Sequence, residues 1–378
     1  MTASAPIAFI DLQAQRVRMG AALEESILRV VRSGRYIMGP EIGELERKLA
    51  EFCGAPYALS CANGTDALAL LLMLKDLKPG QAVLVPSFTF AATGEVVVWF
   101  GATPIFVDCD ETTFCVDPAS LEAGVARAKA LGLEPVGAIA VDLFGHPADY
   151  DALEPIARKH GLWLMSDCAQ GFGATYKGRR VGALGDFAAT SFFPAKPLGC
   201  YGDGGAVFVR DKESVAVLES LRVHGQGEDK YDNVRVGMNG RMDTVQAAVL
   251  LHKLAMFEDE IEARQRVAAR YAEGLGDVCG VPRVADGCVS TWAQYTIRVP
   301  ADRRAAIVED LQKVGVPTAI YYVRPMHRQT AYADYPVAGN GLPVSDRLSR
   351  EVLSLPMHAY LNEADQDRVV RALRAALT

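Results

Sequence analysis

The chain has 378 residues, half of them hydrophobic and 22% charged, with a formal net charge of −7. That length exceeds what one simple core organises, so two domains are expected, and the composition is globular rather than disordered. The mild acidity, without any Lys/Arg block, excludes a nucleic-acid surface, and no apolar stretch approaches a membrane span. The eight cysteines show no CxxC pairing and several lie in apolar runs, which predicts buried, reduced thiols. Residues 1–6 lack a basic flank and a long apolar core, so no signal peptide is expected and the protein reads as cytoplasmic.

Apolar positions at helical spacing fill 20–33 and 41–53, separated by a Gly/Pro-bounded stretch at 34–40. An alternation follows. Residues 57–60 lead into an Ala/Leu-rich helix at 65–77, and a β-rich run at 82–86 leads into a helix at 90–100. Further apolar runs at 103–107, 136–142 and 163–167 are separated by helix-length segments. This pattern predicts a mostly parallel sheet covered on both faces, with the site at the carboxyl ends of its strands. Beyond residue 196, 205–209 reads as a strand, 212–222 as a helix and 242–275 as one long helix. From about 280 the texture changes to a strand at 292–298, a helix at 303–314, a strand at 319–323, a loop at 332–343 and a terminal helix at 363–377. The expected division is 1–252 for a large domain and 253–378 for a smaller C-terminal α/β domain.

Four stretches fall at strand ends. Asn63-Gly64-Thr65-Asp66 opens a helix, where a glycine lets the backbone approach an anion and the free amides favour it; the same residues also make an ordinary turn and N-cap. Phe88, in Pro86-Ser87-Phe88-Thr89-Phe90, offers either a face for a planar ring or a core side chain. Asp167, in Asp167-Cys168-Ala169-Gln170, puts a carboxylate at the end of a buried run, where it needs a cationic partner or serves as a cap. Lys196 sits among apolar, Pro and Gly residues, which favours a neutral, nucleophilic amine; alone, it reads as a surface lysine in a turn. The hydroxyl of Ser191, five residues earlier, suits a phosphate. Together these are a phosphate cradle, a stacking aromatic, an aspartate for a pyridinium nitrogen and a Schiff-base lysine, the set that pyridoxal 5'-phosphate needs.

These motifs, with Gly39-Pro40-Glu41, residues 237–243 and Leu355-Pro356-Met357-His358, resemble the DegT/DnrJ/StrS nucleotide-sugar aminotransferases nearly end to end. The resemblance implies the aspartate-aminotransferase fold (fold type I), with a seven-stranded, mostly parallel sheet. It implies that Lys196 bonds the cofactor, Asp167 pairs with the pyridine nitrogen, Gln170 lies near the phenolic oxygen and Phe88 stacks on the ring. Gly64, Thr65 and Ser191 would hold the phosphate, with Asn239 completing the cradle from the partner of an obligate homodimer. Tyr36 and Met38 would line the sugar-nucleotide site, and Arg241 of the partner would approach the substrate.

The run 197–205 most resembles members that aminate C3 of UDP-linked 2-acetamido-3-oxo-glucuronic acid with glutamate, for surface-polysaccharide or amino-sugar biosynthesis. Those members carry a His-Tyr pair where this chain has Tyr321-Tyr322. A neutral 3-oxo-6-deoxy sugar on a dTDP carrier is therefore the alternative. His327 is the best histidine for a substrate contact, and no His/Cys/Asp set has zinc spacing. Rival classes are another enzyme of the same fold, a dinucleotide-dependent oxidoreductase using the glycines at 199–205, and a non-catalytic sensor. The glycines are not in GxGxxG order, and intact Lys196 and Asp167 oppose a sensor.

Overall fold

The computed structural model describes residues 6–229 and 231–378, so residues 1–5, part of the N-terminal stretch read above, lie outside it. Seven strands form the central sheet: β1 Tyr57–Cys61, β2 Gln81–Pro86, β3 Thr103–Val107, β4 Glu134–Val141, β5 Trp163–Asp167, β6 Phe187–Ser191 and β7 Gly205–Val209. Their spatial order is β1-β7-β6-β5-β4-β2-β3. Only β7 runs against the rest; it is antiparallel to β1, with Tyr57 opposite Val209, and to β6. The other neighbouring pairs are parallel.

The strands bury nearly all of their residues, as a sheet flanked by helices on both faces must. The edge at β3 is covered by the chain's own loop, because Phe106 donates to Pro336 O at 3.0 Å and Ala338 donates back to Phe106 O at 2.8 Å. The carboxyl ends of β1, β2, β4, β5 and β6 meet along one rim. That rim carries 63–66, 87–90, 142–146, 167–170 and 191–196.

A second core lies beyond the sheet. The antiparallel strands Tyr295–Arg298 and Val352–Leu355 pack with the helices Phe257–Leu275, Arg304–Lys313 and Glu363–Leu377 around Tyr271, Ile297, Leu311 and Leu373. Ile7 joins this core, and Met357 donates to Phe9 O at 3.2 Å, so the start of the chain is stitched to its end.

Two sequence expectations are corrected. The helix expected over 242–275 is two helices, Thr244–Leu254 and Phe257–Leu275. Phe257 and Ile261 pack into the first core, whereas Val267, Tyr271 and Leu275 feed the second, so one straight rod does not serve both. Acidic Glu258, Asp259 and Glu260 in the first turn of the second helix favour a restart there. The strand expected at 319–323 does not form. Ala319 makes a single bridge to Ser354, and the chain then turns at Tyr321-Tyr322. Among the described residues no helix is long and apolar enough to cross a membrane.

Candidate active site

The cradle forms where β1 runs into the helix Gly64–Leu74. Asn63 caps that helix, its Oδ1 accepting from Asp66 N at 2.8 Å. A Cβ at Gly64 would lie 2.5 Å from Ser191 Cβ, so only glycine lets the helix start close against the end of β6. The free amides of the first turn and the side chains of Thr65 and Ser191 thus line the same space.

Asp167 closes β5 and is 6% exposed. Its Oδ2 accepts from Thr93 Oγ1 at 2.9 Å and its Oδ1 from Ala169 N at 3.2 Å. Burial raises its pKa, while Thr93, Ala169 and the charge of Lys196 pull it down. Lys196 follows a tight turn in which its own N–H donates to Phe193 O at 2.8 Å. Burial lowers the pKa of its amine, and Asp167 opposes that shift. Gln170 has a fixed orientation: Oε1 accepts from Phe144 N at 2.7 Å, and Nε2 donates to Tyr322 OH at 3.1 Å.

One cavity of about 880 Å³ brings together Gly64, Thr65, Asp167, Gln170, Ser191, Lys196, Tyr321 and Tyr322. The arrangement fits pyridoxal phosphate. A buried carboxylate whose hydrogen-bond donors are neutral calls for a cation in the cavity, such as a protonated pyridine nitrogen. A glycine-lined helix N-terminus calls for an anion, such as a phosphate.

Other expected site residues fall elsewhere. Phe88 does not reach the cavity: it is fully buried, with its ring centroid 6.4 Å from those of Phe114 and Phe144 and 6.0 Å from that of Tyr322. Phe90 lines the cavity instead and is 58% exposed. Beyond β2 the chain bends through residues 87–89, so two-residue alternation no longer tells which aromatic faces which way. His327 is likewise outside the cavity. Its Nδ1 lies 2.6 Å from Ser87 Oγ, and it lines a separate groove of about 700 Å³ with Arg127, Arg328 and Tyr335. Burial lowers its pKa.

Tyr36, Met38, Asn239 and Arg241 do not line the cavity of their own chain either. They share a surface strip: Thr244 N donates to Tyr36 O at 2.8 Å, Ile37 bridges Asp243, and Asn239 bridges Val223. Tyr36 and Met38 are 52% and 44% exposed, and Arg241 Nε is buried without a hydrogen-bond partner.

Sequence reasoning missed Phe90, Thr93, Glu95 and Trp99, all of which line the cavity. Ala92, Glu95 and Trp99 recur at helical spacing along one face of the helix Ala92–Trp99, which was the available signal.

Comparison with known proteins agrees with this geometry. The profile of the DegT/DnrJ/EryC1/StrS aminotransferase family matches residues 18–374. The UDP-2-acetamido-2-deoxy-3-oxo-D-glucuronate aminotransferase of Pseudomonas aeruginosa is 46% identical over 374 residues, 98% of this chain and 99% of that protein. The dTDP-3-amino-3,4,6-trideoxy-alpha-D-glucose transaminase of Streptomyces venezuelae is 38% identical over 97% of this chain and 95% of its own length. The crystal structure of a DegT DnrJ EryC1 StrS aminotransferase from Brucella abortus superposes with a TM-score of 0.96 at 52% identity, covering 98% of this chain and 99% of that one. The chain belongs to the DegT/DnrJ/EryC1/StrS aminotransferase family, has its fold, and is a pyridoxal-phosphate-dependent aminotransferase.

Proposed function

We propose that the enzyme moves an amino group from glutamate to C3 of UDP-2-acetamido-2-deoxy-3-oxo-glucuronate, as a cytoplasmic homodimer with shared active sites. The observation that carries the reading is the convergence of Lys196, Asp167 and the Gly64–Ser191 cradle on one cavity. The sugar is inferred from the likeness to the Pseudomonas aeruginosa enzyme.

In this reading Gly64, Thr65 and Ser191 hold the phosphate. Asp167, kept in place by Thr93, would hold the proton of the ring nitrogen. Gln170 would face the phenolic oxygen, and Phe90 would cover the ring in the place expected of Phe88. When bound, the cofactor supplies the electron sink that lets the donor lose its α-proton. Lys196 would anchor the cofactor and, once free, would take the proton from the donor Cα, a task that burial favours by lowering the pKa of its amine. Tyr321 and Tyr322 shape the sugar end of the cavity.

One chain does not complete such a site. Asp66, Glu95, Asp167 and Asp203 line the cavity, and among the described residues Lys196 is the only Lys or Arg that does so. Glutamate and a nucleotide-linked uronate are anions, so they call for further positive charge. Arg241 and Asn239 of a second copy supply polar groups from the strip described above, with Tyr36 and Met38 beside them. All eight cysteines are free, which fits a reducing, cytoplasmic setting.

A second reading, a neutral dTDP-linked 3-oxo-6-deoxy sugar, draws on Tyr321. A phenol, unlike an imidazolium, has no positive charge to offer a carboxylate. The test is the visible spectrum of the holoenzyme. Glutamate should abolish the cofactor's visible band and 2-oxoglutarate should restore it, after which amination of the UDP-uronate is compared with that of the dTDP sugar. A band indifferent to glutamate overturns the amino-donor assignment, and preference for the dTDP sugar overturns the uronate.

A further inference from the structure

We propose that Asp142 is a positioning residue: it holds the turn that aims the Gln170 amide at the cofactor's phenolic oxygen. The proposal rests on Gln170 having that role.

Asp142 is the first residue beyond β4 and is fully buried. Its carboxylate is saturated by neutral donors. Ala148 N donates to Oδ1 at 2.8 Å, Ser166 Oγ to Oδ2 at 2.8 Å, and Tyr150 OH lies 3.0 Å from both oxygens. The bond from Ala148 closes the turn across 142–148. Inside it Phe144 has φ +58°, a left-handed conformation that surrounding structure must enforce in a residue other than glycine.

That conformation presents the Phe144 N–H to Gln170 Oε1 at 2.7 Å. With Oε1 so occupied, the amide nitrogen is left to face Tyr322 and the cavity. The chain after Gln170 rests directly on Asp142, since a Cβ at Gly171 would overlap Asp142 Cβ. Thr291 fastens both parts together, its N–H donating to Gly145 O and its hydroxyl to Gln170 O, each at 3.0 Å. The titratable groups facing Asp142 are Asp167, Tyr150, Cys115 and Cys168. Asp142 therefore acts on the cavity through a backbone turn rather than by touching the reactants.

The test is the pH midpoint of the visible absorption of the holoenzyme, with denaturant melts alongside. A donor at the phenolic oxygen stabilises negative charge there, so its loss raises the pH at which the chromophore gives up its proton. Gln170→Ala should raise the midpoint. Asp142→Asn should raise it by about half a unit, roughly threefold in proton affinity. The double variant should go no further than Gln170→Ala alone, because the two act through one contact.

A midpoint unmoved by Asp142→Asn while Gln170→Ala moves it overturns the proposal, as does full additivity in the double variant. A midpoint unmoved by Gln170→Ala overturns the role of Gln170 itself. Should Asp142→Asn fail to fold, Tyr150→Phe removes only the phenol's bonds and should give a smaller shift of the same sign; no shift there overturns the proposal.

Discussion

Replacing Lys196 by alanine removes the lysine that lines the cavity and leaves the cradle of Gly64, Thr65 and Ser191 in place. Lys196→Ala should therefore still bind pyridoxamine phosphate in equilibrium dialysis while losing turnover by about a thousandfold or more; retained turnover contradicts the assignment. Phe88 and Phe90 make a second, paired test. Truncating fully buried Phe88 to alanine should cost about 3–5 kcal/mol in denaturant melts. Phe90→Ala should leave the melt nearly unchanged and weaken cofactor binding by about fivefold.

The same pair marks where the sequence stops being readable. Asp167 and Ser191 were legible because each lies at the end of a buried apolar run, and Lys196 because it follows the second of those runs by one short turn, so local pattern alone places them on the rim. Which of two phenylalanines faces the cavity depends on how the chain bends after the run ends, and no periodicity encodes that bend. His327 falls outside the cavity for a related reason: its partner, Ser87, lies 240 positions away in the chain.

At the scale of elements, strands buried on both faces announced themselves as continuous apolar runs, and helix starts by their caps. Asp243 stands at the N-cap of Thr244–Leu254, close to where the long helix was expected to begin. Its end was invisible because the break serves two cores, and the division between cores is a property of the folded molecule.

This helix also carries Lys253, which is 1% exposed. Its Nζ lies 4.5 Å from the centroid of the Tyr201 ring and has no hydrogen-bond partner. Burial lowers its pKa from 10.5 to about 8. Between those values the unfolded chain binds more protons than the folded one, so this group's contribution to stability rises with pH. Its cost is fully present below about pH 8 and relieved above the ordinary lysine range. Lys253→Met should thus stabilise the protein at pH 7 by about 2 kcal/mol, after allowing for the lost ring contact. Urea melts at pH 7 and pH 10 should show that gain shrinking at the higher value; a constant gain would mean that the amine is not titrating there.

For the whole molecule, the proposed sharing of sites between two copies makes a prediction that no single-chain change tests. Lys196→Ala and Arg241→Ala chains, each inactive alone, should form mixed dimers in which one cavity has both an intact lysine and an intact partner arginine. Random mixing at equal amounts should restore about a quarter of wild-type activity, as twofold symmetry requires. No recovery, with mixed dimers confirmed by mass, would place Arg241 in its own chain's site.

The antiparallel strand β7 also has a consequence for how the protein is made. Strand β1 emerges early from the ribosome, yet its sole neighbour in the sheet is β7, roughly 150 residues later. Until that later segment is synthesised, the stretch leading to Gly64 has no strand to pair with, and the phosphate cradle stays unassembled. Ribosome-stalled chains exposing only the first 200 residues should fail to retain the cofactor, whereas those exposing residues beyond β7 and the helix Thr244–Leu254 should begin to protect β1 from protease. Such a delay leaves an apolar strand unpaired through much of translation, the interval in which a chain of this topology is most open to aggregation.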